Sequence, residues 1–224
     1  MPPYHIPFDH FPSLKINWSD KIFQESLAEI NINCIEDLWD ALKNAYLRGL
    51  NMKKKEIFCL KAPDYGKTIM GAMKNIKNAY GIIIVRDPIN AFNSLKKYRE
   101  MYNYKLLNWP TLHKAIIDMN KLVDYVKFLK KNYKEKIFIM RYEDFVYSPE
   151  KYMKKISDMI SINYEDIFLK PTMLGRNWKS NSSFVSTKKQ GEHSPPLKRP
   201  SVLNKEEHKV ILESTNKFYK YFNY

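Results

Sequence analysis

Three short apolar runs, at residues 57–60, 82–85 and 137–140, are set among longer amphipathic stretches, and this alternation constrains the fold more than any other feature of the chain. Each run is too short for an ordinary helix and is rich in β-branched or aromatic residues, so each is expected to be a buried strand of a parallel sheet. Cys59 falls inside the first run and reads as a buried strand position. The clearest helical pattern lies at 112–131, where Leu112, Ile116, Met119, Val123, Val126 and Leu129 share one face. Ser148, Pro149 and Glu150 supply an N-cap and a proline at the first helical position for a helix carrying Met153, Ile156 and Ile160. Strands alternating with helices predict an α/β domain in which a parallel sheet is flanked by helices.

The first 55 residues lack that alternation. Prolines and aromatics without a period predict an irregular arm over 1–19, followed by a helix capped by Ser19 or Asp20 with Ile22, Phe23 and Leu27 on one face. A second helix, with Leu38, Leu42, Ala45 and Tyr46 in a stripe, is expected to end near Gly49. The predicted division is an arm and helical segment at 1–55 and an α/β domain at 56–224. Within the latter, 171–202 is rich in Gly, Ser, Asn, Lys and Pro and predicts a long loop, a class of segment that is often functional. Asn204 and Glu207 form the pattern of a capping box, opening a last helix whose apolar face is expected to include Val210, Leu212 and Phe218.

Composition narrows the function classes. With 224 residues, 44% hydrophobic and 14% aromatic, the chain is a folded protein with one substantial core and not a disordered one. Thirty-eight Lys and Arg against 24 acids give a formal charge of +14, which favours an anionic partner such as a nucleotide, a sulfated or phosphorylated glycan, nucleic acid or acidic lipid. Lys127, Lys130, Lys131 and Lys134 are expected on a solvated helix face. Two cysteines, Cys34 and Cys59, are too few for a disulfide framework or a thiolate zinc site, and the five histidines, His5, His10, His113, His193 and His208, show no metal-ligand spacing. The start carries no signal-peptide pattern and no run of about 18 apolar residues occurs, so the chain as given is expected in the cytoplasm, an expectation that would change if a missing N-terminus carried an anchor.

The residues that carry chemistry begin with Gly81-Ile-Ile-Ile-Val-Arg86-Asp-Pro88 and continue to Ser94. A strand here delivers Arg86 at its C-terminal end, where open α/β sheets bind ligands, and the proline turns the chain into the next helix. Ser94 falls about two turns along that helix. Two readings of these residues stand. Arg86 either pairs with a neighbouring acid while Ser94 lies on a helix surface, or the guanidinium fork and the hydroxyl together take one phosphate.

Arg-Asp-Pro after a strand, with serine eight residues beyond the arginine, resembles the 3′-phosphate-binding segment of sulfotransferases that use 3′-phosphoadenosine 5′-phosphosulfate (PAPS). Other segments agree in order. Leu60-Lys61-Ala62-Pro63 resembles the family's strand-end Lys-Thr-Pro element, and Arg141-Tyr142-Glu143-Asp144-Phe145 resembles its Arg-Tyr-Glu-Asp-Leu strand. Gly175 to Phe184, with Trp178 and Lys179, is similar to the C-terminal substrate and nucleotide loop, and Tyr221 to Tyr224 to the aromatic end of the last helix. The likeness covers roughly 56–224 and implies a sulfotransferase-like P-loop fold. It also implies in-line transfer of a sulfuryl group from PAPS to a hydroxyl or amine, for instance of a carbohydrate, without a metal. Arg86, Ser94 and Lys179 would then bind the nucleotide, and Lys61 would supply a catalytic charge near the sulfuryl group. Lys61, Lys179 and Arg199 read otherwise as solvated cations, Trp178 as a packed loop anchor, and Tyr142, Glu143 and Asp144 as structural braces.

The family's 5′-phosphosulfate loop has no counterpart in residues 1–55. The segment from Lys61 to Thr68, ending Gly66-Lys67-Thr68, superficially suggests a Walker loop but lacks its earlier glycine, where Lys61 stands, and is discounted. Leu60 stands where some members carry a glutamate base. The chain is therefore expected to be either an N-terminally truncated sulfotransferase or a degenerate member that binds a nucleotide or polyanion without turnover. Nucleic-acid binding rests only on the net charge, without the interleaved aromatics that it needs. Neither the acceptor nor the oligomeric state is legible in the residues.

Overall fold

The computed structural model of the protein describes residues 25, 33, 35–49, 57, 59, 61, 66–101, 112–170, 172–173, 176–177 and 201–224. The chain divides into two units. One comprises Met1–Lys61 with Lys74–Lys77, the other Ala62–Met73 with Asn78–Tyr224.

In the first unit, helix α1 spans Ile35–Gly49. Its Ala41, Ala45 and Leu47 are buried, and the Asn33 N–H donates to the Asp37 carboxylate at 3.0 Å. The helix expected to end near Gly49 is thus present, while the one expected around Phe23 lies outside the described residues apart from Glu25, which is helical. The run at 57–60 departs from expectation. Ile57, Cys59 and Lys61 belong to no strand, and all three are exposed. Phe58 and Leu60 lie outside the described residues. An apolar run alone does not make a buried strand, because burial requires a partner surface that the run does not itself encode.

The second unit is built on a βαβ crossover. Strand β1 (Gly81–Val85) pairs in parallel with β2 (Ile137–Arg141), in register from Gly81 opposite Ile137 to Val85 opposite Arg141. Parallel neighbours require a long connection. Here it is made by α3 (Pro88–Met101) and α4 (Leu112–Tyr133), with a 3₁₀ turn at Lys134–Lys136. Helix α2 (Lys67–Asn75) precedes β1, α5 (Tyr142–Tyr147) and α6 (Pro149–Met159) follow β2, and a second 3₁₀ turn covers Asp166–Leu169. A small antiparallel pair, β3 (Thr172–Met173) with β4 (Arg176–Asn177), interrupts the segment expected to be loop throughout. The chain closes with α7 (Lys205–Ser214) and α8 (Asn216–Phe222).

Helix α4 organises the core. Its buried stripe, Ala115, Ile116, Met119, Leu122, Val123, Val126 and Leu129, recurs every three or four residues and clusters with Ile83, Val85, Phe92, Ile137, Ile211, Phe218 and Phe222. Full burial of each large apolar side chain stabilises by about 1.5–3 kcal/mol. Strand β1 is covered on one face only among the described residues: Ile83 and Val85 are buried, but Ile82 and Ile84 are 36% and 53% exposed. The expectation of a buried parallel strand thus holds for one face of β1. Lys127, Lys130, Lys131 and Lys134 do form a solvated face, and Lys127 and Lys130 lie 5.5 and 5.7 Å from the centre of the Tyr221 ring.

Two further expectations need correction. Pro149 does open α6, but the Ser148 side chain makes no capping bond; its backbone N–H closes on the Asp144 carbonyl instead. The capping box of Asn204 and Glu207 is present with both bonds at 2.8 Å, yet Val210 and Leu212 face outward. The buried stripe runs through Ile211, Thr215, Phe218 and Phe222, a spacing of four, three and four residues that the sequence displays plainly.

Candidate functional site

Parallel strands that end level place their following residues side by side. Arg86 and Asp87 follow β1, and Tyr142 and Glu143 follow the end of β2 opposite them. Asp87 opens α3: its carboxylate accepts from the Asn90 N–H at 2.7 Å and its carbonyl from the Ala91 N–H at 2.8 Å, while Pro88, which has no N–H to satisfy, occupies the first helical position. The Asp-Pro pair was a legible helix start in the sequence.

Asp87 and Glu143 are held by neutral donors. The second Asp87 oxygen accepts from the Tyr219 hydroxyl at 2.9 Å. Glu143, only 8% exposed, accepts from the Asp87 N–H at 3.1 Å and from the Tyr224 hydroxyl at 2.8 Å. The Tyr224 hydroxyl also lies 3.1 Å from the Val85 carbonyl. Burial, and then the neighbouring carboxylates, push both tyrosines well above the ordinary phenol range, so their hydroxyls remain donors. Asn223 adopts a left-handed conformation (φ 56°) that ends α8 and turns Tyr224 back, its ring stacked with Phe218 at 6.1 Å.

The two strand-end arginines differ. Arg141 forks onto Asp144 at 2.6 and 2.7 Å and donates to the Asn223 carbonyl at 2.5 Å. Its pKa is raised, chiefly by the bond to Asp144. Arg86 pairs with no acid among the described residues. Its guanidinium lies 5.1 Å from the centre of the Tyr142 ring, and its buried Nε has no hydrogen-bond partner. Of the two readings of Arg86, the ion pair with a neighbouring acid is therefore absent among the described residues, and Glu143 and Asp144 brace the strand ends.

Ser94 sits half-buried on α3, two turns beyond Pro88. Its neighbour Asn93 is buried and accepts from the Val202 N–H at 2.7 Å, and Lys96 pairs with Glu207 at 2.8 Å. The chain entering α7 is thereby fastened to the helix that carries Ser94. Lys61 belongs to the first unit and is exposed there; Lys179, Trp178 and Arg199 lie outside the described residues. His113 and His208 are exposed, and no group of His, Cys, Asp and Glu among the described residues is arranged to hold a metal ion. No described helix is long and apolar enough to cross a membrane.

Gly66 stands at the turn that opens α2, its carbonyl accepting from the Met70 N–H at 3.0 Å. Gly66 is buried with φ +91°, and a Cβ there would stand 3.4 Å from Leu122 and 3.8 Å from Tyr125 on α4. Glycine here serves backbone geometry, a positive φ that other residues rarely adopt. The roles of Tyr219 and Tyr224 were not readable from sequence, since each bonds a partner more than 80 residues away.

Comparison with known proteins gives one positive finding. A model described as the sulfotransferase family matches residues 11–166, a span holding Lys61, Arg86, Ser94 and Glu143 but not Lys179, α7 or α8. No curated protein and no solved structure matches the chain.

Proposed function

The chain belongs to the sulfotransferase family, and on that premise we propose that it binds the 3′-phosphoadenosine end of PAPS at the turn between β1 and α3. The donor would supply a sulfuryl group for transfer to a hydroxyl or amine acceptor, such as a carbohydrate. The observation that carries this reading is the state of Arg86: a half-buried guanidinium at a strand's C-terminal end, free of any carboxylate among the described residues and with a buried N–H that has no acceptor. A desolvated donor without a partner is costly, and a phosphate oxygen would satisfy it. Ser94 would add a hydroxyl to the same phosphate. Lys179 would join from the C-terminal loop and Lys61 would place a positive charge near the transferred group, both on the strength of the family resemblance. The finer fold assignment, a sulfotransferase-like P-loop domain over 56–224, belongs to the same proposal.

A second reading is a family member that binds a nucleotide or polyanion without turnover. Residues 1–55, which carry no counterpart of the family's 5′-phosphosulfate loop, favour it. Calorimetric titration with 3′-phosphoadenosine 5′-phosphate tests what the two readings share. Arg86→Ala should weaken binding by about 2 kcal/mol or more, about thirtyfold. Equal binding by wild type and variant, or none by either folded protein, overturns the assignment of Arg86. Sulfate transfer to a panel of hydroxyl and amine acceptors then separates the first reading from the second.

A further inference from the structure

Arg86 has one acid next to it in the chain and another at the neighbouring strand end, yet it pairs with neither. Asp87 is its neighbour in sequence, and Glu143 follows Tyr142, the residue on whose ring the guanidinium rests. Unrestrained, an arginine beside two acids forms an ion pair, as Arg141 does with Asp144. Around Arg86 every carboxylate oxygen accepts a bond from a group other than the guanidinium: the Asn90 N–H and the Tyr219 hydroxyl on Asp87, and the Asp87 N–H and the Tyr224 hydroxyl on Glu143, so that both acids are oriented from elsewhere. Two of those four donors come from α8 and the residues just beyond it. We propose that Tyr219 and Tyr224 are positioning residues that hold Asp87 and Glu143 away from Arg86 and so keep its guanidinium available to an anion.

The arrangement fits that role. The hydroxyls are neutral and stay protonated, so they orient the acids without placing another cation beside Arg86. Tyr224 is fixed by its second contact, to the Val85 carbonyl one residue before Arg86, and by the left-handed Asn223 that turns it inward. Phe218 and Phe222 anchor α8 in the core, so the donors arrive on a rigid element. This inference rests on the reading of Arg86 as an anion ligand, but the state of the guanidinium can be measured without any nucleotide.

The experiment is nitrogen NMR of the arginine Nε–H groups in the full chain, with the Arg86 signal identified by its loss in Arg86→Ala. In Tyr224→Phe the freed Glu143 should engage Arg86 and move that signal to lower field, toward the position of the paired Arg141. Adding Glu143→Gln, which removes the competing charge, should return it. Titration with 3′-phosphoadenosine 5′-phosphate should follow in parallel: affinity about tenfold weaker in Tyr224→Phe, as for a site whose competent form falls to about one molecule in ten, and regained in the double variant. Tyr219→Phe with Asp87→Asn provides the same test on the other acid if the Tyr224 variant fails to fold. A wild-type Arg86 signal already in the paired position, an unmoved signal in both tyrosine variants, or a shift that Glu143→Gln does not reverse overturns the proposal. Signals that behave as expected in a protein that binds no nucleotide overturn instead the reading of Arg86 as a nucleotide ligand.

Discussion

An alanine at position 81 sets two effects against each other. Glycine inside a strand is about 0.5–1 kcal/mol less favourable than alanine, so on backbone grounds Gly81→Ala stabilises β1. Packing opposes this. A Cβ at position 81 would stand 2.5 Å from Ile137 Cδ1 and 2.8 Å from Ile69 Cγ2. The Ile137 methyl is the far end of a flexible side chain and can swing aside. The Ile69 methyl branches from Cβ on helix α2, where isoleucine is held almost entirely to one χ1 rotamer. Relief therefore requires β1 or α2 to move, and overpacking of this kind costs about 1–3 kcal/mol. The net expectation is a loss of about 0.5–2 kcal/mol, read as a lower urea midpoint at unchanged slope. In an Ile69→Ala background the obstruction is gone and the same change should be neutral or stabilising, a coupling of about 1–2 kcal/mol. A Gly81→Ala protein at least as stable as wild type, or a cost that is equal in both backgrounds, refutes the packing argument.

Acid should erase the contribution of Lys96. Its ammonium, followed by the Asn204 N–H, holds the Glu207 carboxylate below the usual glutamate range; a lowered pKa adds stability above the unfolded-state value of about 4.3 and loses it as pH falls through the folded value. The urea-midpoint gap between wild type and Lys96→Met, at most about 1 kcal/mol for a pair this accessible, should be flat above about pH 5 and close on acidification; a gap that widens contradicts the assignment. Phe218→Ala deletes a ring that is 1% exposed and in contact with the rings of Phe222 and Tyr224, and should cost about 3–5 kcal/mol in equilibrium unfolding. A loss under about 1 kcal/mol would mean that α8 is not anchored as described.

The β1–α3 turn was legible because its information is local: a β-branched run, an arginine, and an Asp-Pro helix start lie within a few residues of one another. Helix α4 and the capping box of Asn204 and Glu207 were legible for the same reason. Cys59 was misjudged because its apolar neighbours indicate only that a partner surface would suit them, and not that one covers them. In the closing helices α7 and α8, Val210 and Leu212 stand out by hydrophobicity, whereas the decisive signal is the spacing of Ile211, Thr215, Phe218 and Phe222, in which a threonine interrupts the apolar stripe. That Thr215 hydroxyl is satisfied by the Ile211 carbonyl at 2.6 Å, which lets a polar residue occupy a buried position. The freedom of Arg86 could not be read at all, since it depends on where the neighbouring acids point and hence on tyrosines distant in sequence.

The hydrogen bond from Tyr224 to Val85 spans 139 positions and that from Tyr219 to Asp87 spans 132. During synthesis, β1, α4 and β2 have all emerged long before either hydroxyl exists, and a nascent chain halted after residue 170 would hold both strands while Asp87 and Glu143 remained unclaimed by the tyrosines. On the proposal above, the acids are at liberty in that interval to bind Arg86, an ion pair that α8 displaces when it docks. The strand-end contacts thus have a large separation in sequence, and they form only once α8 has docked on a sheet able to pair without it.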